Sequence, residues 1–485
     1  MTFPNRPEPC KLSPAWEGTK LMRIIFRKIP FIALALAFSI NLHAQLPAET
    51  SDKIDSAVTK ALADSGTPSA SIAVVKDGQI VYAKAYGNAR LDPATPAQAE
   101  MRYSIGSVSK QFLAVAVLLL AQEGKLSLDD RVGRYLPALT RANDVTIRQL
   151  LSHTSGYQDY YPLDYVARFM LEPVTADGIL DRWAKIPLDF EPGTQWQYSN
   201  TNFVVAGRIV ERVTGMPLYS FLQSRIFGPL GMKTVIDLDQ QSLADSDASG
   251  YTRFGLGPAR LGAHEARGWL FAAGELAMTA RDLARWDQSL LEGKLLKPAS
   301  LDEFIKPVRL KNGAPVNYAL GVGISNASGH PRLQHGGAVS GFVSSNTVWL
   351  DQGAAVVVFA NMDGSNVPGS LTNQIAPLLL AEKQDPQAAQ QLEQARRIFE
   401  DLQEGQVDRT VLTSDAIDYF TPQVLADAAA SLKPLGTPQS FEQTGMGLRG
   451  GMTARSFRIQ FSSGKSLSLT TFSVADGKFA QYLIQ

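Results

Sequence analysis

The sequence predicts an α+β protein in two units, a large one in which hairpins flank a deeply apolar helix and a small one in which helices precede a β-meander. Three observations carry this. Lys76-Asp77-Gly78 sits between the β-rich runs Ser71–Val75 and Gln79–Ala83, and Asp-Gly between two such runs is a strong hairpin turn. The run Phe112–Leu120 is apolar on nearly every side, the pattern of a helix buried in the middle of a domain. Beyond the polar, proline-containing stretch Glu382–Gln387, amphipathic helices are followed by three β-rich runs.

Taken in order, the chain first reads as an export signal over residues 1–44. Met22-Arg23, Arg27 and Lys28 form a basic segment, Ile29–Ile40 is apolar, and Ala44 precedes the expected cleavage, although Leu42 is larger than usual two residues earlier. The apolar stretch is about a dozen residues against the ~20 a bilayer span needs, so no stable membrane span is expected after cleavage. Residues 1–21 read as an extension ahead of a true start at Met22. Cys10 is the single cysteine and leaves with this segment, which excludes disulfides, thiol catalysis, a cysteine zinc site and lipid attachment through cysteine. The 485 residues carry 46 basic and 46 acidic side chains; removing Arg6, Lys11, Lys20, Arg23, Arg27 and Lys28 with Glu8 and Glu17 leaves 40 against 44, a net charge of −4. Nothing in that balance suggests a nucleic-acid partner. At 45% hydrophobic residues the composition is that of a globular protein.

Ser51–Leu62 reads as a helix, then comes the Asp-Gly hairpin, then the buried helix, which ends near Gly124. Strands before and long after this helix suggest a mixed sheet with helices beside it. Val145–Leu151 is a short helix. The segment from Tyr157 to Gln197 is rich in large rings, most of them expected in the core with one or two at a substrate entrance. Asn202–Thr214 reads as a helix ended by Gly215, Gly268–Gly274 as a small-residue loop, and Thr279–Leu291 as a helix with Trp286 on its apolar face. Ser345–Leu350 and Ala354–Ala360 form a second hairpin around Asp351-Gln352-Gly353, and Ser370–Ala381 closes the large unit. In the small unit, helices Gln391–Gln403 and Pro422–Leu432 precede strands Thr453–Phe461, Ser466–Phe472 and Phe479–Ile484.

Three islands of polar residues invite chemistry. Ser107 and Lys110 stand three positions apart at the head of the buried helix, which puts both side chains on one face. A hydroxyl needs a neighbour to take its proton, and Lys110 serves only if burial lowers its pKa. Tyr198-x-Asn200 and His335-x-Gly337 are the other two. Separately each has a bland reading: Ser107 as a helix cap with Lys110 in solvent, Tyr198 as a buried ring, Asn200 as a helix N-cap and His335 as a satisfied strand histidine.

Together, in this order and behind an export signal, the islands resemble the serine β-lactamase and penicillin-binding-protein superfamily, in particular its branch of class C β-lactamases, DD-peptidases and related esterases. Leu150-Leu151-Ser152-His153-Thr154-Ser155-Gly156, Pro229-Leu230-Gly231-Met232 and the segment Gly337–Phe342 agree with it. The resemblance covers about residues 55–380, and the small unit bears a much looser likeness to a nuclear-transport-factor-2-like cone. It implies an antiparallel sheet flanked by helices plus an all-helical subdomain. The implied division is a hydrolase domain at 45–382, a linker at 383–390 and an α+β accessory domain at 391–485.

By this resemblance Ser107 attacks a carbonyl, and the backbone N–H groups of Ser107 and Ala338 meet the oxyanion. Gly336 and Gly337 let a strand approach the substrate. Tyr198 carries a proton to the leaving group, with nearby cations expected to ease its ionisation, and Asn200 bonds both Lys110 and a substrate amide. Lys110 and Tyr198 are assigned as a coupled pair, either being the acylation base. His335 replaces the lysine of the Lys-Thr-Gly form of the third island. A histidine is mostly neutral at pH 7 to 8, so weaker recognition of substrate carboxylates and a drift towards esters, amides or modified peptides are expected. A neutral His335 also fits a proton relay. No Gly-x-Ser-x-Gly surrounds a serine, which removes the α/β-hydrolase elbow.

The expected protein is a periplasmic or secreted serine hydrolase that forms an acyl-enzyme at Ser107. Its expected substrates are small molecules or peptides: a β-lactam, a D-amino-acid peptide or a carboxylic ester. No cofactor and no metal are expected. The reading from another class is a catalytically weak binding or sensor protein for cell-wall peptides on the same scaffold. The presence of Ser107, Lys110, Tyr198 and Asn200 together argues against it, because a binder does not require all four.

Overall fold

The computed structural model describes residues 45–327, 330–380 and 387–485. The expected leader and residues 383–386 of the expected linker lie outside them. Among the described residues, one antiparallel sheet has seven strands: β1 (Ser69–Lys76), β2 (Gln79–Leu91), β3 (Ala94–Pro96), β4 (Gly323–Ala327), β5 (His330–Val339), β6 (Phe342–Trp349) and β7 (Ala354–Ala360). Their order is β3-β2-β1-β7-β6-β5-β4. Every pairing is antiparallel, which corrects the mixed sheet suggested by element order. The chain leaves the sheet after β3, re-enters at the far edge with β4 and returns by successive antiparallel neighbours, so no parallel crossover arises.

The β1–β2 hairpin turns through Asp77 and Gly78, both with positive φ (51° and 71°), and closes with Lys76 opposite Gln79. β1 lies in the interior of the sheet and is buried on both faces, which is why its apolar run shows no polar alternation. Ala70, Ile72 and Val74 pack with the helices Ala48–Ser65 and Val367–Leu379, whereas Ala73 and Val75 face a second, larger core. That larger core holds the helix Lys110–Gln122, whose side chains from Lys110 to Leu120 are all buried. Around it stand the helices Ile147–Leu151, Asn200–Thr214 and Ala280–Leu291. Thr146 and Gln149 cap the first of these reciprocally, Gly215 ends the second in the left-handed conformation, and Thr279 caps the third. Trp286 is buried and donates from Nε1 to Gln111 Oε1 at 3.1 Å.

The small unit is an additional C-terminal sheet domain. Its strands β8 (Pro438–Arg449), β9 (Met452–Phe461), β10 (Ser466–Ser473) and β11 (Phe479–Ile484) pair antiparallel in that order. Phe399, Phe441, Phe457 and Phe461 contribute to its own core beneath the helix Ala388–Gln403. That helix starts three residues before Gln391, because Ala388, Ala389 and Gln390 are strong helix formers, so the expected linker is shorter at its C-terminal end. Among the described residues no helix is long and apolar enough to cross a membrane.

Candidate active site

Ser107 lies in the 3-10 turn Gly106–Ser109 that runs into the helix starting at Lys110. Two neighbours hold this turn: Ile105 N–H donates to Leu276 O at 3.0 Å, and Ser344 Oγ of β6 donates to Ile105 O at 2.7 Å. β5 runs close against it. A Cβ on Gly337 would stand 1.9 Å from Ile105 O, and one on Gly106, whose φ is +51°, would stand 2.9 Å from Ala338 N. Glycine is therefore required at both positions, and Ala338 lies against the turn that carries Ser107. At Gly337 the close approach is to Ile105. Gly336 is under no such constraint, because the nearest atom to a Cβ there is Ser344 O at 3.7 Å. Among the described residues β4 pairs with β5 only as far as Gln334, so the His335–Val339 edge extends past it.

Lys110 is fully buried, and its Nζ has three partners: Ser107 Oγ at 2.9 Å, Asn200 Oδ1 at 2.8 Å and Ala273 O at 2.7 Å. Burial brings its pKa down to about 7, with Asp159 and Glu275 pulling in the opposite direction. The solvent reading of Lys110 is thus excluded. Asn200 is the first residue of its helix, and its side chain does not cap it. Its Nδ2 donates instead to Asp159 Oδ1 at 3.1 Å, while its backbone N–H donates to the same oxygen at 2.9 Å. One amide thus connects a carboxylate to the lysine.

The Tyr198 ring lies 5.1 Å from Lys110 Nζ and stacks on His153 with centroids 4.2 Å apart. Burial pushes its phenol above the usual value; the Ser107 hydroxyl opposes this and the Asp159 charge adds to it. This corrects the expectation that nearby cations ease ionisation of Tyr198, because burial of the phenol outweighs them. His335 is 8% exposed. Its Nδ1–H donates to Gly336 O at 2.6 Å, which leaves Nε2 to accept from Tyr318 Oη at 2.8 Å. Burial, with the Lys110 charge, brings its pKa down to about 4 against the Gly336 bond, so His335 is neutral at pH 7.

Ser107, Lys110 and Asn200 are joined by hydrogen bonds, with Tyr198, His335 and Ala338 arranged around them. Sequence reading missed Asp159, His153 and Tyr318. Asp159 and His153 stood inside motifs read for other features, and nothing local distinguished Tyr318 from a core ring. His153 is fully buried at a positive φ of 57° and accepts the Ser199 N–H at Nδ1, 3.1 Å away.

The family described as Beta-lactamase matches residues 54–380. Penicillin-binding protein 4* of Bacillus subtilis is 27% identical over 321 residues, covering 60% of this chain and 68% of that protein. A D-aminopeptidase of Brucella anthropi is 30% identical over 304 residues, 61% of this chain and 56% of that protein, so the chain spans little more than half of that relative's length. A D-stereospecific amidohydrolase from a Streptomyces species superposes with a TM-score of 0.59 at 27% identity, over 69% of this chain and 99% of that one. An octameric penicillin-binding protein homologue from Pyrococcus abyssi gives a TM-score of 0.62 over 90% of this chain and 100% of that one; at 20% identity this is a likeness of fold. With about two thirds of its length matched, and its sheet and helices arranged as in these relatives, the chain belongs to the beta-lactamase family of hydrolases.

Proposed function

We propose that the protein is an exported serine hydrolase that acylates Ser107 with small amides and esters lacking a free carboxylate beside the scissile bond, D-amino-acid amides and short peptides among them. One observation carries the acyl-transfer step. Of the three partners of Lys110 Nζ, Asn200 Oδ1 and Ala273 O can only accept. When the nitrogen is neutral its two N–H bonds go to these oxygens, and the lone pair is left for the Ser107 hydroxyl. A pKa brought down to about 7 makes that form available at neutral pH.

Ser107 Oγ then bonds to the carbonyl carbon as its proton passes to Lys110. The N–H groups of Ser107 and Ala338 receive the oxyanion. Tyr198, held protonated by burial, passes its proton to the leaving amine or alcohol and recovers one from Lys110. Water reverses these transfers and releases the acid. The neutral His335 supports the preference for substrates without a carboxylate, since no permanent cation stands at the third island. The names of the D-aminopeptidase and the D-stereospecific amidohydrolase support amides as substrates.

The test is intact-mass spectrometry and product analysis of wild type and Ser107→Ala with p-nitrophenyl acetate, D-phenylalanine amide and benzylpenicillin. Turnover of the first two by wild type alone, through an adduct at Ser107 and with slow reaction of penicillin, is the expected result. Equal turnover by Ser107→Ala would overturn the acyl-enzyme, and preference for penicillin would overturn the substrate class. Export rests on the leader at residues 1–44 and is tested by N-terminal sequencing of the protein recovered outside the cytoplasm. The C-terminal domain is read as a nuclear-transport-factor-2-like cone, a reading supported by a helix packed on a four-stranded antiparallel meander.

A further inference from the structure

Tyr198 stands in residues 195–199, which belong to no helix or strand, so no regular ladder of backbone hydrogen bonds places its ring. His153 supplies what a ladder would. Its carbonyl oxygen accepts the Gln197 N–H at 3.0 Å, and its Nδ1 accepts the Ser199 N–H at 3.1 Å. The residues on both sides of Tyr198 are thus bonded to one residue. The imidazole also stacks on the phenol ring itself, with the planes inclined by 34°.

A backbone N–H only donates, so Nδ1 carries no proton and the ring hydrogen sits on Nε2. Nε2 is buried without a hydrogen-bond partner, and the rings of Phe203, Tyr318 and Trp196 stand around the imidazole. Burial, with the charges of Lys110 and His335, holds its pKa well below the usual histidine value, so the Nδ1 bond persists at neutral pH. The φ of +57° at His153 is one that few residues other than glycine adopt, and such strain is kept where surrounding contacts over-determine it. A histidine kept for packing alone needs neither the Nδ1 bond nor that backbone. Asn200 is held from another side, since its N–H and Nδ2 both bond Asp159 Oδ1. Tyr198 is therefore the side chain of the site that depends on His153.

We propose that His153 is the positioning residue for Tyr198, a neutral imidazole that fixes the phenol where it can protonate the leaving group. This rests on the reading of Tyr198 as the group that passes its proton to the departing amine or alcohol. The consequence depends on the leaving group. p-Nitrophenolate departs without a proton, whereas the alkoxide of benzyl acetate takes one as the bond to the carbonyl carbon breaks. Both esters transfer the same acetyl group, and kcat/KM reports the steps through its transfer to the enzyme.

The test compares kcat/KM for the two esters in full-length variants whose fold is checked by circular dichroism. His153→Phe keeps a stacking ring and lacks the acceptor; it is expected to lose about 10²-fold with benzyl acetate and less than about fivefold with p-nitrophenyl acetate. His153→Asn brings an amide oxygen towards the Nδ1 position and tolerates the left-handed backbone, so it is expected to recover at least ~10-fold over His153→Phe with benzyl acetate. Tyr198→Phe is expected to show the same selective loss. No Ser107-dependent turnover in the wild type, or equal losses for both esters in Tyr198→Phe, would overturn the underlying reading and this proposal with it. A selective loss in Tyr198→Phe beside equal losses or none in His153→Phe, or no recovery by His153→Asn, overturns this proposal alone. If His153→Phe does not fold, His153→Gly, which lacks ring and acceptor and suits the left-handed backbone, takes its place with the same expectations.

Discussion

Lys110 is an amine enclosed by the larger core, and the activity proposed for it makes its protonation measurable. The rate of activated-ester hydrolysis is expected to rise with pH along a limb centred near 7, the value to which burial brings this group. Asp159 opposes that shift, so Asp159→Asn is expected to move the limb to lower pH. Loss of the carboxylate that positions Asn200 also slows the limiting rate, by about 10- to 100-fold. A pH–rate profile reads both effects, and an unmoved limb would refute the electrostatic part. The same burial costs stability. Because the folded pKa of Lys110 lies below its unfolded value, the unfolded chain holds a proton that the folded chain lacks between about pH 7 and 10.4, and stability rises with pH across that window. Lys110→Met is therefore expected to be inactive yet to raise the melting midpoint, by more at pH 6 than at pH 9, as scanning calorimetry would show. At this scale the residues proposed to carry the chemistry could be picked out of the sequence because Ser107-x-x-Lys110, Tyr198-x-Asn200 and His335-x-Gly337 are short patterns in a fixed order. Asp159 could not, since its part depends on a contact with Asn200 across 41 positions, which no local pattern announces.

Two adjacent glycines of β5 separate the demands of the sheet from those of the site. Gly337→Ala drives a methyl into the Ile105 carbonyl and pushes β5 away from the Ser107 turn, and the expected result is a loss of about 10²- to 10³-fold in ester turnover with the circular dichroism spectrum retained. Gly336→Ala meets only an ordinary contact at 3.7 Å and is expected to keep turnover within about threefold. Equal losses in both would place the requirement in the backbone flexibility of the pair and not in the approach to Ile105. Elements with strong local signals were readable: the Asp77-Gly78 hairpin, the apolar helix Lys110–Gln122, and the helix closed by Gly215. β8 was missed because Gly445, Gly447 and an exposed far end from Met446 to Arg449 give it neither β-propensity nor alternation. The mixed sheet suggested by element order failed for another reason, whereas the antiparallel sheet implied by the family resemblance is the one observed. Strand direction is fixed by where the chain re-enters the sheet, and the long excursion from β3 to β4 conceals that.

A polar stretch and a restart of pattern predict a division of the molecule, and the hydrophobic cores bear on its energetics. The cores beneath the two faces of the large sheet draw on residues between Ile54 and Leu379, whereas the C-terminal core draws on residues between Ala395 and Tyr482, with none in common. Units with separate cores are expected to unfold separately unless an extensive interface couples them. Scanning calorimetry of the full chain is therefore expected to show two transitions, and a chain ending at Leu380 to show one of them. Every residue assigned to the acyl-transfer step lies before position 339, so the shortened chain is expected to hydrolyse p-nitrophenyl acetate within about threefold of the full chain. A shortened chain that retains its transition but loses turnover would mean that the C-terminal domain acts on the site. That outcome would make the accessory domain part of the catalytic unit.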